Sequence, residues 1–367
     1  METFALGLEL NRLFYSEIVR PLLAARFPDV RYSAALIGYG SDVLGFDTPM
    51  SRDHEWGPRL LLFLDGETYE SSQAAIDSAL RRELPATFRG YSTNYSAPNP
   101  GGWVRSLADG VAGAIDHHIQ FYTVSAFTRH EVGIEPHAQI TPRDWLTFPE
   151  QKLLEVTAGA VYYDGLDELI SLRQRLDYYP HDVWLYRMAA QWQRIAEEEA
   201  FVGRCGDVGD DLGSRIVTAR LAREVMRLCF LQERRYAPYS KWLGTAFQTL
   251  ACADVVGPLL ASALTTSDWR ARERFLGEAY EGIARAHNAL SVTEHLEPTL
   301  RSYYDRPYQV IQAERFSSAL SQAIRDPEIQ RVIADCGLSG AVDQFVDEVG
   351  ILQHARRSRG LREVLGR

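Results

Sequence analysis

Two acidic residues, Asp53 and Glu55, stand just ahead of an apolar run at 60–64, and a glycine-serine pair, Gly40-Ser41, follows a shorter apolar run at 34–37. Those residue types suit phosphoryl chemistry. Carboxylates can hold a divalent cation that offsets the charge building on phosphate oxygens. Glycine lets backbone N–H groups come close to a phosphate, and serine adds a hydroxyl. If residues 53–55 are extended, side chains at i and i+2 project from one face, so both acids aim at one point. Each half also has a structural reading, since Asp-x-Glu is common at strand ends and Gly-x-Gly-Ser is often only a turn. What gives the pair weight is their order between two apolar strands.

On these residues the sequence resembles the nucleotidyltransferase superfamily, of the DNA polymerase beta-like kind, whose signature is a Gly-Ser after the first strand and then Asp-x-Asp or Asp-x-Glu. More closely, GSDVLGFDTPMSRDHEWGPRL, with PYSKWLGTAF at 238–247, resembles a bacterial family of unknown function on that fold, DUF4037-like. The resemblance implies that Gly40 and Ser41 hold the phosphates of an NTP substrate, and that Asp53 and Glu55 bind Mg²⁺ or Mn²⁺ and are catalytic. It implies a metal-dependent enzyme that moves an NMP group to a small-molecule or protein acceptor and releases pyrophosphate. It also implies a third acid on a later strand. The residue at the centre of that strand is Gln120, and the nearest acid is Asp116. Either Asp116 reaches the metal, or two acids serve, or the second metal has been lost; the rival function is a catalytically silent protein on the same fold that binds a nucleotide or partner as a sensor. His117 and His118 are metal ligands, bases or hydrogen-bonded structure.

The elements that must position these residues follow from periodicity. Residues 3–26 carry apolar side chains at three and four spacings, which predicts a helix ended by Pro28, and 67–84 predicts another ended by Pro85. Strands are expected at 34–37, 60–64, 86–95 and 117–127, with a loop at 96–103. Trp56-Gly57-Pro58 interrupts the approach to the second of these, so the regular strand is placed from Arg59 onward.

Beyond Pro142 the pattern becomes helical, with helices at 148–157, 167–176, 180–200, 207–235, 240–265, 268–289, 310–325, 326–335 and 338–360. The expected fold class is therefore α+β. A nucleotidyltransferase-like mixed sheet with flanking helices occupies 1–143, and an all-α bundle occupies 144–367. In the helical half, Ser240 is placed to cap a helix after Pro238. Tyr239 and Lys241 resemble the Tyr-x-Lys of antibiotic nucleotidyltransferases, which implies that Lys241 reaches the nucleotide phosphates across a cleft with Tyr239 beside it. The alternative is a lysine whose aliphatic stem covers Trp242.

Composition narrows the partners. A net charge of −10 argues against general nucleic-acid binding, which is built from clustered Lys and Arg. A nucleotide and an unidentified acceptor suit that balance better. The four cysteines show no C-x-x-C pair and no histidines at ligand spacing, so neither a disulfide framework nor zinc is expected. No run approaches the roughly 18 apolar residues of a membrane span, and the start of the chain lacks the pattern of a secretory leader. The expected location is cytoplasmic.

Overall fold

The computed structural model describes residues 4–100, 104–110 and 113–366. The chain divides into two compact units, Met1–Gln139 with Lys152–Asp177, and Ile140–Gln151 with Tyr178–Arg367.

The first unit is built on a four-stranded mixed sheet. Its strands are β1 (Tyr32–Leu36), β2 (Arg59–Leu64), β3 (His118–Tyr122) and β4 (Ala160–Asp164), in the spatial order β3-β2-β1-β4. β1 runs antiparallel to β2, with Ala35 opposite Leu61, and β2 runs parallel to β3, with Arg59 opposite His118 and Leu61 opposite Gln120. The whole of β2 is buried, which explains why it reads as unbroken leucine and phenylalanine rather than as an alternation. Leu60, Leu62 and Leu64 meet Leu10, Phe14, Val19, Ile76 and Leu80 from the flanking helices. On the opposite face Phe63 packs edge-on to Phe127, with ring centroids 5.4 Å apart.

Those helices lie where periodicity puts them. Gly7–Phe14, a π turn at Tyr15–Val19 and Arg20–Arg26 follow one another within 3–26, of which residue 3 is outside the described residues. Gly66–Glu83 is capped by Asp65, whose carboxylate accepts from the Thr68 N–H at 2.9 Å.

Several expectations are corrected. The strand expected at 117–127 stops at Tyr122, because Thr123 accepts from the Ala126 N–H and starts a helix at Val124–Glu131. Residues 86–95 form a two-residue hairpin, Thr87–Phe88 with Tyr91–Ser92, and an isolated bridge from Tyr95 to Leu107. Within the expected loop, residues 96–100 are neither helix nor strand, and 101–103 lie outside the described residues.

The largest correction is β4. It lies inside the stretch read as wholly helical, and its pairing with β1 returns residues 152–177 to the first unit, so the chain does not divide once at 143. Gly159 leads into it at φ +70°, and a Cβ there would lie 2.1 Å from the Leu36 carbonyl oxygen. Only glycine lets the two strands close at that end.

Among its described residues the second unit is helical in its regular structure apart from the hairpin Arg301–Ser302 with Gln309–Val310. His181–Glu198 is its central helix, buried from Val183 to Trp192, and Asp211–Gln232 and Glu314–Ala323 pack against it. The helix expected at 240–265 is two, Ser240–Phe247 and Ala253–Thr265, and the one expected at 338–360 is three short turns of helix. Among the described residues no helix is long and apolar enough to cross a membrane.

Candidate functional site

The C-terminal end of β1 and the N-terminal ends of β2 and β3 meet at one edge of the sheet, as the pairing of Arg59 with His118 and of Ala35 with Leu61 requires. The turn leaving β1 there contains Gly38 and Gly40, at φ +92° and +131°. A Cβ on Gly40 would lie 2.3 Å from both Arg59 Nη2 and Asp42 Oδ1. Glycine at 40 is thus demanded by a buried ion pair as well as by its backbone angle. Gly40→Ala is expected to destabilise the protein by about 2–3 kcal/mol, read from the urea midpoint; a change under about 0.5 kcal/mol would mean that the turn relaxes freely.

That ion pair is the floor of the site. Arg59 and Asp42 are almost wholly buried, with Nη2 2.6 Å from Oδ1 and Nε 3.2 Å from Oδ2. Arg59 Nη2 also donates to the Tyr39 carbonyl at 2.9 Å. Burial opposes the charge on Arg59, but the Asp42 carboxylate outweighs it and pushes the guanidinium pKa up. The pair ties the turn to the first residue of β2.

Above it lies a connected set of polar side chains. The Glu55 carboxylate accepts from the Tyr39 hydroxyl at 2.9 Å, from the Arg105 backbone N–H at 2.7 Å, and makes a 2.7 Å bond with His118 Nε2. Gln120 Nε2 donates to the Tyr39 hydroxyl at 3.4 Å. Burial raises the Glu55 pKa, but His118, the Arg105 N–H and the Tyr39 hydroxyl together hold it below the ordinary carboxylate value. Burial pushes His118 the other way, below its usual value, against the pull of Glu55. An ionised Glu55 facing a neutral imidazole places the proton on Nε2. Nδ1 is then a bare acceptor, and it is buried without a partner. The Tyr95 ring packs against His118 at a tilt of 32°, with ring centroids 4.8 Å apart.

The residues expected at the site are not all brought together. Asp53 ends a 3₁₀ turn, Pro49–Asp53, and its carboxylate is 60% exposed and 2.9 Å from His54 Nδ1. Glu55 follows at φ +50° and is one-tenth exposed. Residues 53–55 are therefore not a strand presenting two acids on one face, because the chain turns at Glu55 before it reaches Arg59.

Asp116 is held by Arg81 at 2.9 Å and by Arg105 at 2.8 Å. His117 is structural, buried 3.4 Å from Asp77. Ser41 is half-buried in the turn, where its carbonyl accepts from the Phe46 N–H at 2.8 Å. Among the described residues no three His, Cys, Asp or Glu side chains form a group that could hold a metal ion. Glu55 already uses three of a carboxylate's roughly four acceptor positions, and Gln120 brings no charge.

Beneath the turn, the Gly38 N–H donates to the Glu155 carbonyl at 2.6 Å. The Glu155 side chain belongs to a buried cluster in which Lys152 Nζ lies 2.5 Å from Glu155 and 2.9 Å from Glu131, with His130 3.0 Å from Glu131. Burial pushes the Glu155 carboxyl up to about 7. Glu131 goes the other way, to about 2, where burial is outweighed by His130 and Lys152.

Tyr239 and Lys241 belong to the second unit. Tyr239, not Ser240, is the residue preceding the helix, and no side chain caps it. Tyr239 and Ser240 line a small cavity of about 40 Å³ with Glu150, Gln151, Arg227 and Asp343. The Lys241 ammonium sits over the Trp242 ring, 5.0 Å from its centroid.

Sequence reasoning missed Tyr39, Asp42, Arg59 and Arg105. One signal was available for two of them: a charged residue opening a fully apolar strand must find an opposite charge when buried, and Asp42 is the acid in the preceding turn.

No curated protein matches the chain. A crystal structure of a nucleotidyltransferase-like protein from Exiguobacterium sibiricum 255-15 is similar over 88% of this chain and 91% of that chain, at 11% identity and a TM-score of 0.31. The architecture described above rests on strand order and pairing, not on this likeness. Residues 145–243, which include β4 and much of the helical unit, match the family described as a domain of unknown function, DUF4037.

Proposed function

We propose that the first unit binds a nucleotide at the turn formed by residues 38–42 and does so without turnover, as a sensor. The observation that carries this reading is the state of Glu55, an ionised carboxylate beside a glycine turn that already bonds to three protein groups. Gln120 supports it, standing on β3 where transfer chemistry would want an acid. The turn offers backbone N–H groups and the Ser41 hydroxyl to phosphate oxygens. Tyr39 is 39% exposed and offers an aromatic face at the rim.

Calorimetry with ATP, CTP, GTP and UTP, with and without Mg²⁺, tests the proposal. Binding of at least one nucleotide is expected, with an affinity that changes by less than about threefold on adding Mg²⁺. Absence of binding for all four would remove the sensor reading.

A second reading is favoured by the exposed carboxylate of Asp53, 2.9 Å from His54 Nδ1 and two residues from Glu55. It is NMP transfer from an NTP, assisted by Mg²⁺ or Mn²⁺, in which an acceptor hydroxyl attacks the α-phosphorus in line and pyrophosphate leaves. Asp53→Asn separates the two. The sensor reading expects nucleotide affinity within about threefold of the parent protein. A tenfold or greater loss (roughly 1.4 kcal/mol) confined to Mg²⁺-containing buffer, with pyrophosphate release by the parent protein, would establish transfer instead.

A further inference from the structure

A cavity of about 550 Å³ lies in the first unit between the leading helical segment and the edge strand β4. No residue of the glycine turn and none of the polar set around Glu55 lines it. Its volume falls in the range that small organic ligands occupy. Leu6, Leu8, Val161 and Tyr162 supply an apolar wall, and Leu6 is 56% exposed. The buried Tyr15 ring lies against the half-buried Tyr162 ring, with planes 17° apart and centroids 6.0 Å apart. Both hydroxyls are engaged within the protein, Tyr15 with the Tyr32 hydroxyl at 3.1 Å and Tyr162 with the Leu8 carbonyl at 3.1 Å. What this pair offers a ligand is therefore ring surface.

The charged and polar side chains of the lining differ in what they leave unused. Glu9 and Arg12 bond to each other twice, at 2.6 and 2.7 Å. Asp47 is buried and accepts from the Gly7 N–H at 2.7 Å and the Trp56 indole N–H at 2.9 Å. The Ser16 hydroxyl donates to the Leu13 carbonyl at 3.3 Å. The Arg20 guanidinium lines the same cavity and, among the described residues, makes no hydrogen bond or ion pair. The π turn Tyr15–Val19 accounts for its place. Such a turn holds one residue more than an α turn, so Arg20 comes round to where residue 19 of a regular helix would stand, while Val19 stays in the core.

We propose that this cavity binds a small planar aromatic monocarboxylate, whose ring packs on Tyr162 and whose carboxylate is held by Arg20. A guanidinium fork matches the two oxygens of a carboxylate. A doubly charged phosphate suits the lining less, because Glu9 and Asp47 stand there beside a single uncommitted cation. The inference is separate from the nucleotide reading, and either can fail alone.

The test is calorimetric titration of the full chain with indole-3-acetate, with indole-3-acetamide and cyclohexylacetate as comparisons. Indole-3-acetate is expected to saturate one site per chain with a Kd below about 1 mM. The neutral amide and the non-planar acid should each bind at least about fivefold more weakly. Arg20→Met should weaken the acid about tenfold and leave the amide within about twofold. Ser16→Trp places an indole in the cavity and should abolish binding of both. Positions 16 and 20 are exposed, so both variants should keep the parent thermal midpoint within about 2 °C. Excess ATP should not displace the acid. Absence of saturable binding, an amide as tight as the acid, unchanged affinity in either variant, or displacement by ATP would each overturn the proposal.

Discussion

Replacing Asp42 by alanine is expected to lower the unfolding free energy by about 3–5 kcal/mol, the usual consequence of stranding one charge of a buried ion pair. Arg59 would be left with the Tyr39 carbonyl as its remaining bonded acceptor, inside a region where the guanidinium is only 3% exposed. The measurement is urea denaturation of the full chain against an Asp167→Ala control. Asp167 is 89% exposed and 3.8 Å from Arg31, and its φ of +62° is its main local constraint, so its loss should cost no more than about 1 kcal/mol. A loss below about 1 kcal/mol for Asp42→Ala would show that water reaches the pair. Because the pair ties the turn at 38–42 to β2, Asp42→Ala should also weaken nucleotide binding at any pH.

The second large effect is at Lys152. Lys152→Met keeps most of the apolar stem of the side chain but removes the cation that two buried carboxylates share, and at pH 8 it is expected to cost about 3–5 kcal/mol. The cost should shrink as pH falls, for a reason that fixes its sign. With Glu155 held at about 7 in the folded protein, above the ordinary 4.5, its contribution to stability is fully present below 4.5 and is lost as pH rises through 7. Glu131, held at about 2, contributes stability that is present above 4.5 and lost as pH falls through 2. Without the lysine both carboxyls favour the protonated form. The variant therefore suffers most where both must ionise and recovers toward pH 5. Urea midpoints at pH 8 and pH 5 measure it, and an equal deficit at both would mean that the charges are not what the lysine compensates. The cluster bonds to the turn through the Glu155 carbonyl, so loss of nucleotide affinity should follow the same pH course.

Apart from Lys152 with Glu155, which stand three apart on one helix, these two expectations concern charges that the linear sequence does not pair. Lys152 reads there as a polar residue on an ordinary helix, and Glu131 lies on an element that appears as the tail of a strand. Their neighbours differ: Arg59 opens an apolar run, and that position alone calls for a counter-charge.

The acids at 53 and 55 show the opposite case, a pattern that was legible and a geometry that was not. Spacing of two places side chains on one face only if the backbone is extended, and the positive φ of Glu55 breaks that condition. β4 was missed for a related reason. Residues 160–164 are short, aromatic and bounded by Gly159 and Gly165, a strand signal that the surrounding helical periodicity overrode.

By itself the sequence determined the local elements of this protein: an unbroken apolar strand at 60–64, helices ended by prolines, a glycine turn beside acidic residues, and a helical second half. These follow from side-chain periodicity and backbone preference, which act over a few residues. The tertiary structure alone decided which charges meet. Arg59 with Asp42, Glu55 with His118, and Lys152 with Glu131 all join positions brought near by strand pairing or helix packing. Burial then makes each pairing compulsory, since a polar group removed from water must find its partner within the fold.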